Sequence, residues 1–574
     1  MRYIISCPKP HTHFIELEFI IENNVQDILT VQLPAWRPGR YELQNFARNM
    51  QKWAAFDNHG KPLNFHKHTK DCWKIETQGS STIHIKYNYY ACQLDAGACY
   101  LDEKQVYINP VHCFLYLPDR MNEPCIVELN LPADYQIATG MEHVSQHVLA
   151  ANDYHQLADS PLIAGNFLQH TSYEINDTVF HIWFQGICRP DWERLLEDFR
   201  AFSLEQVYMM ESFPAKNYHF LIHILPNHFY HGVEHLNSTV LALGPGYKLM
   251  EDTFYIELLG LASHELFHTW NIKAIRPVEM MPYDYSKENY SRLGYVCEGV
   301  TSYYGDLFLL RSKVFSEAEY IKTFNQQLQK HFDNYGRFNL SVADSSFDTW
   351  LDGYVEGIPA RKTSIYTEGC LVAFLADITI RKQTANVDSL DDVMRLLYLN
   401  YGNKNSGYSE ADYQQAIETV AGISFKEFFD KYVNGVEDIE PLLTEALLHI
   451  GLKLVKSPSP LPYENRFGFK ALQNGSAKIT HVAPGSIADQ AGLVKDDEII
   501  AVNTIQLQNN LKDWTEFFKE ETISLTINSQ GFIKEKTLRP NENNYYHKYS
   551  VEMLEDASSQ QKFAFLAWSK RRFD

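Results

Sequence analysis

No stretch of this sequence approaches the roughly 18 consecutive apolar residues that a transmembrane helix needs. Positive charge is scarce too. Lys and Arg number 51 against 72 Asp and Glu, a formal net charge of −21. Phosphate backbones and anionic membranes call for a basic face, so neither nucleic acid nor membrane is an expected partner. The nine cysteines contain no C-x-x-C pair, which argues against a structural zinc ribbon. In a chain this long they read as reduced thiols of a cytosolic protein. The N-terminus, MRYIISCPKPHTH, has too short an apolar run before its prolines to act as a signal peptide. The expectation is a soluble, cytoplasmic protein without repeats or low-complexity tracts.

Core-forming residues are plentiful. Of 574 residues, 45% are hydrophobic and 14% aromatic, enough for three or four domains. The first third carries strand signals: FIELEFII at Phe14–Ile21 and similar short runs at 28–33, 83–89 and 125–131. Turn clusters such as Asn58-His59-Gly60 separate them. This pattern predicts an antiparallel β-sandwich. From about Pro190 the period changes. Residues 192–213 read as an amphipathic helix, 218–225 as a strand, and 252–271 and 293–311 as long apolar helices. Ser389 with Asp392, Ser409 with Asp412 and Ser424 with Glu427 place a serine three residues before a carboxylate, the arrangement that starts helices. After Ser457-Pro458-Ser459-Pro460 the pattern returns to strands.

The sequence 261–277, LASHELFHTWNIKAIRP, sets His264, Glu265 and His268 inside an apolar helix. Buried ionisable groups need partners. Histidines four apart share one helix face and can aim two imidazoles at one point, with Glu265 beside that point as a base. This is the H-E-x-x-H logic of zinc hydrolases. A third ligand is required, and LGYVCEGVTSYYGDLFLLR offers Glu298 among Val296, Cys297, Val300 and Tyr304. The competing role for Glu298 is an exposed carboxylate at a helix N-terminus; beside H-E-x-x-H the ligand role is favoured. Two histidines, one glutamate and an open fourth position make a catalytic zinc site, with one ion per chain. Asp306 and Ser302 are candidates to orient the ligands. Asn271, Lys273 and Arg276 either buttress the site or contact substrate.

HELFHTWNIKAIRP followed by EGVTSYYGDLF resembles the glycyl aminopeptidase family of PDZ-containing zinc peptidases, relatives of aminopeptidase N. Trp36-Arg37-Pro38-Gly39-Arg40-Tyr41 is similar to that family's W-x-P-G-x-Y signature. The resemblance implies a multidomain α+β chain. Its expected parts are an N-terminal β-sandwich (1–170), a thermolysin-like, mostly α-helical catalytic domain (171–455), a PDZ domain (456–545) and a C-terminal extension (546–574). The separation between His268 and Glu298 exceeds that of the aminopeptidase N relatives. Gly232-Val233-Glu234-His235 resembles the G-x-E-H exopeptidase element, whose glutamate binds a substrate's free α-ammonium group. Ser364-Ile365-Tyr366-Thr367-Glu368-Gly369 resembles Y-x-K-G, whose tyrosine donates to the oxyanion, although Glu368 stands where lysine is usual. Phe467-Gly468-Phe469 resembles the carboxylate-binding loop of PDZ domains, and GSIADQAGL with KDDEIIAVN strengthens that match. Such a loop catches a peptide C-terminus in backbone N–H groups.

The expected activity is zinc-dependent removal of the first residue, Gly or Ala by resemblance, from peptides with a free amino terminus. Glu265 and Tyr366 are the expected catalytic residues. The alternatives are a thermolysin-like endopeptidase and an inactive PDZ-bearing scaffold.

Overall fold

The computed structural model describes residues 1–355 and 357–573. The N-terminal region is built from three sheets around one core. A seven-stranded sheet runs in the order 142–145, 148–151, 125–130, 2–6, 14–21, 83–90, 50–57. Phe14–Ile21 alternates inward Ile15, Leu17 and Phe19 with outward polar residues, as a half-buried strand requires. The sheet is not purely antiparallel as expected: Arg2–Ser6 pairs parallel with Cys125–Asn130. A three-stranded and a four-stranded sheet complete the region. Trp36, buried among Tyr283, Tyr285 and Trp350, ties it to the part that follows.

There, a five-stranded mixed sheet runs in the order 169–175, 178–186, 217–224, 238–244, 229–234. The strand Phe229–Glu234, which carries Gly232 and Glu234, lies at its edge. Helix Trp192–Met210 crosses between two parallel strands, its start capped by Asp191. Helices Asp252–Phe267, Thr301–Arg311, Glu317–Asp333 and Thr367–Gln383 form the core beside this sheet. The capping boxes at Ser389 and Ser409 are present. The one expected at Ser424 is not: its hydroxyl bonds Glu418, and Glu427 pairs with Lys431.

The C-terminal part departs further from the expected layout. Leu452–Pro458 and His547–Met553 pair as an antiparallel two-stranded sheet. They flank the six-stranded PDZ-type sheet that starts at Phe469. The segment after residue 546, expected as an extension, folds back instead. Its helix Ser559–Ser569 buries Phe565 and Trp568 in the core of the helical region. Trp568 accepts a hydrogen bond from Arg311 through its carbonyl and donates one from its indole to Tyr303. No helix among the described residues is long and apolar enough to cross a membrane.

Candidate active site

Two interruptions of regular helix shape the site. His264 lies in the last turn of Asp252–Phe267, and His268 is its C-cap. The chain then enters a π-helical turn, Thr269–Ala274, broken at Asn271. Glu298 likewise sits in a π-helical turn, Tyr295–Val300, that runs directly into Thr301–Arg311. The wider turn rotates a residue off the regular helical face, a device common at functional sites. Gly299 brings this turn against the helix that follows Tyr366. A Cβ at Gly299 would lie 2.3 Å from the Gly369 Cα, so side chains at this crossing are excluded.

The imidazoles meet as their spacing predicted. Nε2 of His268 lies 3.1 Å from Nε2 of His264, and Oε2 of Glu298 lies 3.4 Å and 3.9 Å from those two nitrogens. The three offer ligand atoms all within 4.8 Å of one another. His268 Nδ1–H donates to the Asn271 carbonyl at 2.7 Å, which leaves the Nε2 lone pair for a cation. Asn271 in turn donates to the Val296 carbonyl at 2.9 Å and to Thr301 at 3.1 Å. It therefore clamps the histidine turn to the glutamate turn, the buttressing role. The structure shows no bond from Asp306 to either histidine, and burial pushes its carboxyl up to about 6. Ser302 lines the cleft.

The electrostatics call for a cation. Burial pushes the Glu265 carboxyl up to about 8; His268 opposes this, and Glu234 and Glu298 add to it. Burial works against charge on His268, but Glu298, Glu234 and Glu265 together raise it to about 9. His264 is pushed well down by burial and by His268. Glu265 Oε2 is buried without a hydrogen-bond partner. Three carboxylates converging on two imidazoles suit a divalent ion, whose charge compensates the repulsion. The donor set fits zinc: two imidazole nitrogens, one carboxylate and room for a fourth ligand.

Glu234, on the edge strand, and Glu265, on the histidine helix, each bring a carboxylate oxygen within 4.8 Å of a His268 nitrogen. Both approaches depend on glycine. A Cβ on Gly232 would stand 2.3 Å from Oε1 of Glu265, and one on Gly39 would stand 2.3 Å from Oε2 of Glu234. Gly39, at φ +78°, also adopts a left-handed backbone. Tyr366 lines the same cleft, of about 1020 Å³. Burial, then Glu298, Tyr354 and Glu234, push its hydroxyl well up, so it remains a proton-bearing donor. Glu368 does not face the cleft chemistry. It is buried against His331 at 2.5 Å and Thr363 at 3.3 Å, and although burial opposes its charge, His331 holds its carboxyl low.

Sequence reasoning assigned no role to several contributors. Tyr41 donates to Oε1 of Glu298 at 3.1 Å, so the N-terminal region supplies a group to the site. Behind Glu234, the Asp159 carboxylate accepts from His235 and from Lys273, both at 3.0 Å. Lys273 is thus a buried anchor, not a substrate contact. The sequence offered one signal for Tyr41, its place in the W-x-P-G-x-Y signature; for Asp159 it offered none.

The PDZ loop has a different geometry from the one expected. Phe467 and Phe469 are fully buried. The Phe467 N–H donates to the Pro462 carbonyl and the Gly468 N–H to that of Glu464, both at 3.2 Å. The chain itself occupies two donors that a peptide carboxylate would need.

Residues 2–166 match the family model for the Peptidase M61 N-terminal domain, residues 257–372 that for M61 glycyl aminopeptidase, and residues 478–528 that for a PDZ domain. The crystal structure of an aminopeptidase N family protein from Idiomarina loihiensis is similar in fold, with a TM-score of 0.90 at 24% identity, covering 99% of each chain. An M1 zinc metallopeptidase from Deinococcus radiodurans, a mutant bound to a Tyr-Ser-Ala substrate, matches at a TM-score of 0.46 and 12% identity, over 76% of this chain and 94% of its own. No curated relative matches the chain. The family models define the class: this is a peptidase. More particularly, its parts match the models for the M61 N-terminal domain, M61 glycyl aminopeptidase and a PDZ domain, which bears out the resemblance of its motifs.

Proposed function

We propose that the protein is a zinc aminopeptidase that removes one small residue, Gly or Ala, from peptides with a free amino terminus. The observation that carries this reading is the convergence of His264, His268 and Glu298, with Glu265 and Glu234 flanking His268. His264, His268 and Glu298 are the proposed holders of the ion. Zinc bound there supplies a Lewis acid that acidifies water and polarises the scissile carbonyl.

The chain's own residues do the rest. Glu265 takes the proton from the attacking water and returns it to the departing amine. Tyr366 donates to the oxygen on which negative charge develops. Glu234 binds the substrate's ammonium group and so fixes the cut one residue from the end. The Gly39 turn packs against Glu234, and the preference for small first residues follows from the resemblance of the motifs. Unpaired thiols throughout the chain support a reducing, cytoplasmic location. The engaged amides at Phe467 and Gly468 favour a structural role for the PDZ module over capture of a peptide C-terminus.

A panel of Gly-, Ala-, Leu- and Arg-peptides, each with a free or acetylated amine and with or without chelator, tests the proposal. Expected is cleavage of free-amine Gly and Ala peptides, abolished by chelation. Cleavage of acetylated peptides would establish an endopeptidase, and no turnover with zinc bound a scaffold. Glu265→Gln is expected to keep zinc and lose turnover.

A further inference from the structure

A second cavity, of about 310 Å³, lies against the same Arg37–Arg40 turn, and His231 lines both it and the metal cleft. Arg37, Arg40 and Arg48 line it together with Glu42 and Asp95. Arg40 is already paired with Glu42, at 2.7 Å, and its guanidinium lies 4.7 Å from the Tyr354 ring centroid. Asp95 accepts from the Gln93 side chain and the Gly97 N–H.

Arg37 is different. It is 2% exposed, and the hydrogen bond it gives is to the neighbouring Pro38 carbonyl at 3.2 Å. Its Nε is buried without a partner, and no carboxylate among the described residues lies within ion-pairing distance of its guanidinium. Gly97 makes room for it: a Cβ there would lie 2.3 Å from Nη2. Arg48, exposed and lining the same cavity, is likewise without an ion pair among the described residues. A buried charge is costly unless a counter-charge meets it.

We propose that this cavity binds an oxyanion, with the planar fork of Arg37 receiving two of its oxygens and Arg48 adding a second positive charge. A guanidinium fork matches phosphate and carboxylate geometry. Two sources share this chemistry. One is a free oxyanion in solution. The other is the side-chain carboxylate of a substrate's first residue, reached past His231; that source alone rests on the aminopeptidase reading, and it adds acidic first residues to the Gly and Ala substrates.

Titration calorimetry of the full chain with inorganic phosphate, at ionic strength held constant with sodium chloride, tests the free source. Expected is one saturable site per chain, weakened at least tenfold in Arg37→Met and in Arg48→Met. Arg48 is exposed, so its variant keeps the test available should Arg37→Met fail to fold. Hydrolysis of Glu-Ala-Ala against Gln-Ala-Ala tests the other source, which predicts a kcat/KM at least tenfold higher for the acidic peptide, with phosphate competing. Absence of saturable phosphate heat together with no acidic preference would overturn the site, as would phosphate binding unchanged in both variants. If no peptide is cleaved at all, the aminopeptidase reading fails, while the phosphate titration still decides the site.

Discussion

The Tyr41 hydroxyl hydrogen-bonds the Glu298 carboxylate across 257 positions of sequence. One oxygen of Glu298 is thereby held by the N-terminal region, and the other faces the two histidines. The β-rich region is therefore part of the site. Burial, then Glu298, hold the Tyr41 hydroxyl protonated, so it acts as donor.

Tyr41→Phe removes that donor while keeping the ring. Partners of metal ligands are typically worth about 10–100-fold in metal affinity. Competition with a zinc chelator is expected to show a loss of that order, with activity recovering in excess zinc. Unchanged affinity would leave Tyr41 a packing residue.

Tyr366→Phe is expected to lower kcat by about 10²–10³-fold, or about 3–4 kcal/mol in the barrier, with KM little changed. Steady-state kinetics on a free-amine alanyl peptide separates the two. A change confined to KM would make Tyr366 a binding group.

Asp391 gives the stability a pH signature. Burial disfavours its charge, yet Arg311, Arg381 and the Tyr304 hydroxyl hold its carboxyl down to about 2. That is below the ordinary value of about 3.9. Its contribution is present above pH 4 and lost as pH falls through 2. The size is about 2–3 kcal/mol. Asp391→Asn leaves Arg311 buried with its charge partner removed. It is expected to destabilise by about 3–5 kcal/mol at pH 7 and to flatten the decline between pH 4 and 2. Urea unfolding across that range checks both.

The paired strands 452–458 and 547–553 change how the PDZ module must be tested. Cutting the chain after Pro460 also removes one of those strands and Trp568 from the core, and is expected to unfold the helical region. Replacing 461–544 by a short flexible linker is expected to preserve the fold. Circular dichroism and thermal melting of the two forms distinguish these outcomes.

These features mark what sequence could and could not reveal. His264, Glu265 and His268 were legible because helix geometry fixes side chains four apart on one face. Glu298 was legible as a ligand only beside H-E-x-x-H; alone, it would have read as an exposed carboxylate at a helix N-terminus. Gly232 and Glu234 emerged by resemblance, and the structure supplies the physical reason for the glycine. Asp159 and the return of 547–553 to 452–458 depend on pairings between distant segments, which no local pattern encodes; Tyr41 stood in the W-x-P-G-x-Y signature, but its bond to Glu298 did not show there. The loop at Phe467 was readable as a motif, but the engagement of its amides by Pro462 and Glu464 was not. Ser424 had the right spacing to Glu427, and a competing acceptor, Glu418, took its hydroxyl.

The most direct test is zinc content per chain at a buffered free-zinc concentration, compared between the wild type and Glu298→Ala. Joint ligation by His264, His268 and Glu298 predicts close to one ion in the wild type and less than about a tenth of that in the variant, with folding intact by circular dichroism. A folded Glu298→Ala chain that still holds one zinc would contradict the account.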